Sequence, residues 1–247
     1  MLSGRAGRTL CSAVLLAASS AACKSAEPTA RPETHALADP ILELRNYTLL
    51  PGQRDTLIEL FEREFIESQE ALGACIVGTF RVEGAPDHFV WIRSFGDMEA
   101  RLAALQAFYS GPVWRAHSKA ANATMVDSDH VHLLRPVGAR LRIPADRSAI
   151  GASVTPESLF VVDVFPLAAG TEAEAELQSR AASDAAVIAM FATEASPNDF
   201  AALRVHTRSV FVTLRRYDAG SEPARIGGMP VPEETLRLRP TARSLLR

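Results

Sequence analysis

Glu43, Arg45 and Tyr47 alternate along one apolar run, and Trp91 and Arg93 alternate along another. Alternate residues of an extended strand share a face, so an acid, two guanidiniums and two aromatic rings can be presented side by side. A buried arginine is costly unless paired. Such a group therefore closes as an internal ion-pair network or around an anionic ligand. His130 and His132 also share a strand face, a geometry that can hold a metal ion. No third ligand lies nearby in the sequence, so no metal is expected. His117 follows Val113 by four residues and Trp114 by three. It is either a base against an aromatic wall or a histidine packed between helices. Trp91 and Trp114 are read as core before cofactor platform. A nucleophile elbow, P-loop, dinucleotide fingerprint and metalloprotease helix are all absent from the sequence.

These residues sit in a pattern that occurs twice. Ile41 to Tyr47 opens the first copy and Leu159 to Phe165 the second, each reaching a glycine at the same distance, Gly52 and Gly170. In the first copy, Leu57, Phe61, Phe65 and Leu72 follow helical spacing up to Gly73. Strands over 74–82 and 88–95 follow, joined by a turn at Gly84 to Asp87. Asp97 can cap a second helix carrying Met98, Leu102, Leu105 and Tyr109, stopped by Gly111-Pro112. A third helical stretch runs from Trp114 to Met125, and His130 to Arg135 is the last strand.

The second copy aligns Phe191 with Phe80, Phe211 with Phe89, Arg215 with Arg93 and Asp163 with Arg45. Thr171 and Glu174 have capping-box spacing. This copy has a shorter first helix, a longer loop around Ser196 to Phe200, and little of the second helical region. A βαββαβ unit forms an antiparallel sheet with helices on one face. Its other face is still apolar here, because Phe89, Trp91 and Phe95 alternate with Val90 and Ile92. The fold expected is α+β: two tandem ferredoxin-like βαββαβ units packed as one pseudo-twofold domain of the dimeric α/β-barrel type. The first unit spans 41–137, a linker 138–157, and the second, degenerate unit 158–242. A cavity between sheet and helices is the default place for a small ligand.

The bulk composition of this 247-residue chain is ordinary for a folded protein, with 47% hydrophobic and 22% charged residues. A net charge of −3 gives no basic face for nucleic acid. Arg5 and Arg8, the short apolar run Leu10 to Ala18 and the small residues before Cys23 form a secretory leader over 1–22. Cys23 directly after small residues reads as a lipidation site, the alternative being plain secretion. Residues 23–40, with Pro28, Pro32 and Pro40, read as a disordered tether. The expected location is the bacterial cell envelope, membrane-anchored through the lipidated N-terminus. Once Cys23 is acylated, Cys75 is the only remaining thiol of the exported domain, read as a small buried side chain.

Glu43 to Tyr47, Phe95 to Arg101 and Phe108 to Trp114 resemble the NIPSNAP family, as do Asn122 to Met125 with Leu133 to Pro136. Pro197 to Phe200 with Arg204 and Val205 extends the likeness into the second half. The resemblance implies a dimeric α/β-barrel fold shared with small monooxygenases, haem-degrading proteins and stress-responsive domains. It does not imply a reaction. Animal relatives are mitochondrial proteins linked to vesicle traffic and autophagy signalling, partners that an exported bacterial protein would not share. The leading expectation is a non-catalytic barrel, monomer or homodimer, that binds a small molecule or a protein partner and needs no cofactor. Its pocket would draw on Arg45, Tyr47, Trp91, Arg93, Trp114, His117 and His132. The alternative is a cofactor-independent, monooxygenase-like enzyme using the barrel cavity, with Tyr47, Arg93 and His117 as its working groups.

Overall fold

The alternating runs pair edge to edge until no edge is left. The computed structural model describes residues 33–38, 41–138, 140–168 and 171–247. In chain order the first half holds β1 (Thr34–Ala36), β2 (Ile41–Leu49), α1 (Arg54–Leu60), a π-helical turn (Phe61–Phe65) and α2 (Ile66–Glu70). It continues through β3 (Cys75–Val82), β4 (Ala85–Phe95), α3 (Met98–Ser110), α4 (Pro112–Asn122) and β5 (Met125–Val137). After β6 (Arg142–Pro144), the second half holds β7 (Leu159–Pro166), α5 (Thr171–Ala181), β8 (Val187–Thr193), β9 (Val210–Tyr217) and β10 (Glu234–Pro240).

The barrel runs β3-β4-β2-β5 and then β8-β9-β7-β10. Each half places its first strand between its third and its last, which is the ferredoxin-like order. Antiparallel pairs β5–β8 and β10–β3 join the halves and close the barrel. Closure removes the exposed strand edges that an open sheet would leave for aggregation.

Even-numbered residues of β2 and β4 face inward, where Leu42, Leu44, Val90 and Ile92 meet Phe160, Val162, Val212 and Leu214 of the second half. Phe80 and Phe160, one from each half, lie with ring centroids 5.7 Å apart. The interior is packed: the space left among Leu42, Leu44, Ile92, Leu134, Val162, Phe191, Val212 and Leu214 is about 10 Å³. Odd-numbered residues face outward, and in the first half they are covered by helices.

Four local expectations are corrected. The tether contains β1, which pairs with β6 of the linker, and Leu37 beside it is buried against the barrel core. The turn between β3 and β4 is tighter than Gly84 to Asp87, because Val82 pairs with Ala85 and Glu83-Gly84 alone turn the chain, with Gly84 at φ 76°. The second unit runs past 242: Thr241, Ser244, Leu245 and Leu246 are buried, and the Thr241 and Thr79 hydroxyls are bonded at 2.6 Å. Cys75 is half-buried rather than buried. Asp97 caps α3 as expected, its carboxylate accepting from Ala100 N at 2.7 Å. The leader and Cys23 lie outside the described residues. Among the described residues no helix is long and apolar enough to cross a membrane.

Candidate functional site

The outward face of β2 and β4 carries the charged group. Register pairs Glu43 with Arg93 and Arg45 with Trp91. Glu43 is fully buried, and its two oxygens accept from three arginines. Arg45 Nη1 reaches Oε2 at 2.8 Å and Arg93 Nε reaches it at 2.7 Å, while Arg101 Nε from α3 reaches Oε1 at 2.7 Å. Burial alone would raise the Glu43 pKa; Arg93, Arg45 and Arg101 override it and hold the carboxyl far below the usual range. The network extends outward from there. Arg93 Nη1 donates to Gln69 Oε1 at 2.7 Å, and Gln69 Nε2 to the Phe65 carbonyl at 2.8 Å. Arg101 Nη1 donates to Asp199 Oδ1 at 2.5 Å, so the long loop of the second half completes a network built in the first.

The guanidiniums also lie on rings. Arg45 is 5.4 Å from the centroids of both Tyr47 and Trp91, and Arg93 is 5.0 Å from Trp91, which is cation–π distance. Arg45 Nε donates to the Tyr47 hydroxyl at 3.1 Å. Of the two readings open for these residues, the ion-pair network is the one observed.

Tyr47 and Trp91 also line a cavity of about 120 Å³ between the sheet and the helices. Leu57, Phe61, Phe65 and Gln69 form one wall, and Phe108, Tyr109 and Trp114 another. The first wall has an identifiable geometric cause. Residues four apart on an α-helix drift about 40° around the axis per step, so three steps would carry Gln69 off the face of Leu57. The π-helical turn Phe61–Phe65 takes more residues per turn and cancels part of that drift. Phe200 stacks on Tyr109 (5.7 Å between centroids, 21° between planes), and Leu203 joins the lining, so the same loop that brings Asp199 also covers this cavity. The Trp91 indole Nε1 is buried and has no hydrogen-bond partner. Burial raises the Tyr109 pKa, Arg93 and Arg45 opposing, which keeps the phenol protonated.

The second half has a reduced version. Asp163 pairs with Arg215 at 2.6 Å and accepts from Thr235 Oγ1 at 2.7 Å. The groove over this pair, about 310 Å³, is bounded by Pro223, Ile226, Met229 and Pro232 where the first half has α3 and α4.

Tyr47, Trp91 and Trp114 line the cavity, while Arg45 and Arg93 are committed to Glu43. His117 does not line it. Its Nε2 lies 3.5 Å from Glu64 and its ring packs edge-on behind Phe65, and Arg93 does not line the cavity either, so Tyr47, Arg93 and His117 are not gathered around one space. His132 is on the opposite face of the sheet, pairing with Leu44 in the barrel interior. Near it the structure supplies what the sequence lacks, a third imidazole, His206. Residues missed as site members are Glu43, Gln69, Arg101, Tyr109 and Asp199. Two of them carried a signal: Glu43 on the strand face it shares with Arg45, and Asp199 in the loop that the second copy gains.

Residues 42–139 match the family model described as NIPSNAP. The first half is therefore similar to a NIPSNAP domain. An uncharacterised NIPSNAP-like domain protein from Burkholderia xenovorans is 24% identical, over 41% of this chain and 89% of its own, with a TM-score of 0.38. A NIPSNAP family protein from Agrobacterium tumefaciens is 20% identical, over 42% of this chain and 90% of its own, with a TM-score of 0.37. A candidate monooxygenase from Fusobacterium nucleatum covers 83% of this chain and 93% of its own at 7% identity and a TM-score of 0.50. That last likeness spans both halves and concerns the fold alone. No curated protein matches the chain.

Proposed function

We propose that the NIPSNAP-like half's aromatic cavity binds a small molecule of about one ring that carries an anionic or strongly accepting oxygen, and that the protein works by binding rather than turnover. The observation that carries this reading is the Trp91 Nε1–H, buried without an acceptor in a lining of aromatic rings. An unmet buried donor costs about 1–3 kcal/mol, which a ligand oxygen recovers. Charge favours the same chemistry. Three buried arginines face two carboxylates, Glu43 and Asp199, leaving one positive charge against the rings of Tyr47 and Trp91. Size sets the limit, since an apolar protein cavity of about 150 Å³ holds benzene. Small aromatic carboxylates fit that description. His117, the candidate base, faces Glu64 and not this space, which favours binding over the monooxygenase reading.

Calorimetric titration with benzoate and hydroxybenzoates tests the reading. Trp91→Phe keeps a ring but removes the donor, and binding is expected to weaken about tenfold. Equal affinity in the variant, or no binding by any single-ring acid in the wild type, would count against it.

We also propose that the mature protein is exported and anchored through an acylated Cys23. Arg5 and Arg8, the apolar run and the small residues before the cysteine support this. Metabolic labelling with a palmitate analogue should mark the wild type and not Cys23→Ala. An unlabelled wild type, or label retained in the variant, would refute the anchor.

A further inference from the structure

Three imidazoles converge at one mouth of the barrel, away from the aromatic cavity. His130 and His132 follow each other along the inner face of β5, opposite Asn46 and Leu44. His206 arrives from the second half on the coil before β9, held by its backbone N–H on the Val131 carbonyl at 2.7 Å. Ring centroids are 4.7 Å apart for His130 and His206, 4.8 Å for His132 and His206, and 5.5 Å for His130 and His132. The three ligand nitrogens all lie within 4.8 Å of one another.

Glu234 stands beside them. Its Oε2 is 3.3 Å from His130 Nε2, while its Oε1 accepts from Asn46 Nδ2 at 3.2 Å, which fixes the carboxylate. A carboxylate bonded to a ligating imidazole is the usual outer partner of a metal-bound histidine. Among the described residues, neither His132 nor His206 has a carboxylate within ion-pair distance, so Glu234 does not account for the whole cluster.

We propose that His130, His132 and His206 bind one divalent transition-metal ion of the zinc class at this mouth. Metal–nitrogen bonds of about 2.0–2.1 Å in a tetrahedral site put ligand nitrogens about 3.4 Å apart. The cluster therefore has to contract by up to about 1.4 Å. His206 is exposed on a coil and supplies that movement, while buried His132 and half-buried His130 are set by the strand. Three neutral imidazoles select zinc, copper, nickel or cobalt over magnesium and calcium, which prefer oxygen. The space in front of the cluster, about 470 Å³, is lined also by Arg208 and Glu233 and leaves a fourth position open to solvent or a small anion. Each half contributes ligands, so the site exists only in the closed barrel. The second copy has Glu234 and Leu236 where the first has His130 and His132, so the duplication does not repeat it.

The test is titration of the full chain, free of any histidine tag and stripped with chelator, with Zn²⁺ by calorimetry and Co²⁺ by visible absorption. One ion per chain should bind with a dissociation constant on the order of 1 μM or tighter, and Co²⁺ should give the intense bands of a four-coordinate site. His206→Ala, at an exposed position, should weaken binding by about 100-fold or more with an unchanged melting temperature. His132→Gln should do the same, and His117→Ala should bind as the wild type. Absence of saturable binding, wild-type affinity in His206→Ala, or an equal loss in His117→Ala would overturn the proposal.

Discussion

Glu43→Gln should cost about 3–5 kcal/mol of folding free energy, the loss expected when one partner of a buried ionic group is removed. The substitution keeps the shape and removes the charge. Among the described residues the three arginines would then keep one paired carboxylate, Asp199, which is bonded to Arg101. Against a typical domain stability of about 5–15 kcal/mol this is a large fraction. Asp163→Asn, the corresponding change in the second half, should cost less. It strands one arginine, and Arg215 keeps the Tyr217 hydroxyl at 2.7 Å and the Ala224 carbonyl at 2.6 Å. Urea midpoints of the two variants measure the difference. An acid limb should accompany it. The folded pKa of Glu43 lies below its ordinary 4.5, so its stabilisation is complete above that value and is lost as pH falls toward the folded pKa. Glu43→Gln should flatten this limb, and an unchanged acid profile would show that the network does not depend on the charge.

Phe160→Ala should cost about 3–5 kcal/mol and should do so for the whole barrel. Phe160 is fully buried in the second half and meets Phe80 of the first in one apolar cluster that includes strands of both. Neither half has a separate inner core to fall back on, because each inner sheet face is covered by the other. The variant should unfold in a single transition at lower denaturant, seen alike by tryptophan fluorescence, which reports the first half, and by far-ultraviolet dichroism, which reports both. Two separated transitions would argue for independent halves.

The parts of this structure legible in the sequence are those written as periodicity. Leu42 and Leu44 alternating with Glu43 and Arg45 fixed both faces of β2, and the matching runs at 41 and 159 predicted the duplicated strand order. The lost helix of the second unit was visible as missing length. Long-range placement was not legible. Asp199 and Leu203 lie about a hundred residues from the network and cavity they complete, and the gained loop marks their segment without showing what it reaches. His206 sits in a coil with no pattern, so its meeting with His130 and His132 depends on barrel closure. Arg101 reads as a surface residue of an ordinary helix until the face of α3 is known. The π-helical turn was also hidden, since Leu57, Phe61 and Phe65 read as simple helical spacing. His117 misled for the opposite reason: spacing placed it near Trp114, but its side of α4 faces Glu64.

Native-state hydrogen exchange at β4 in the wild type and in Phe160→Ala gives the most direct check on the claim that the two halves fold as one barrel. The Phe89 to Ile92 amides, in the first half, should lose as much opening free energy as the β7 amides around the mutated residue. First-half amides that keep their wild-type protection while β7 weakens would contradict it.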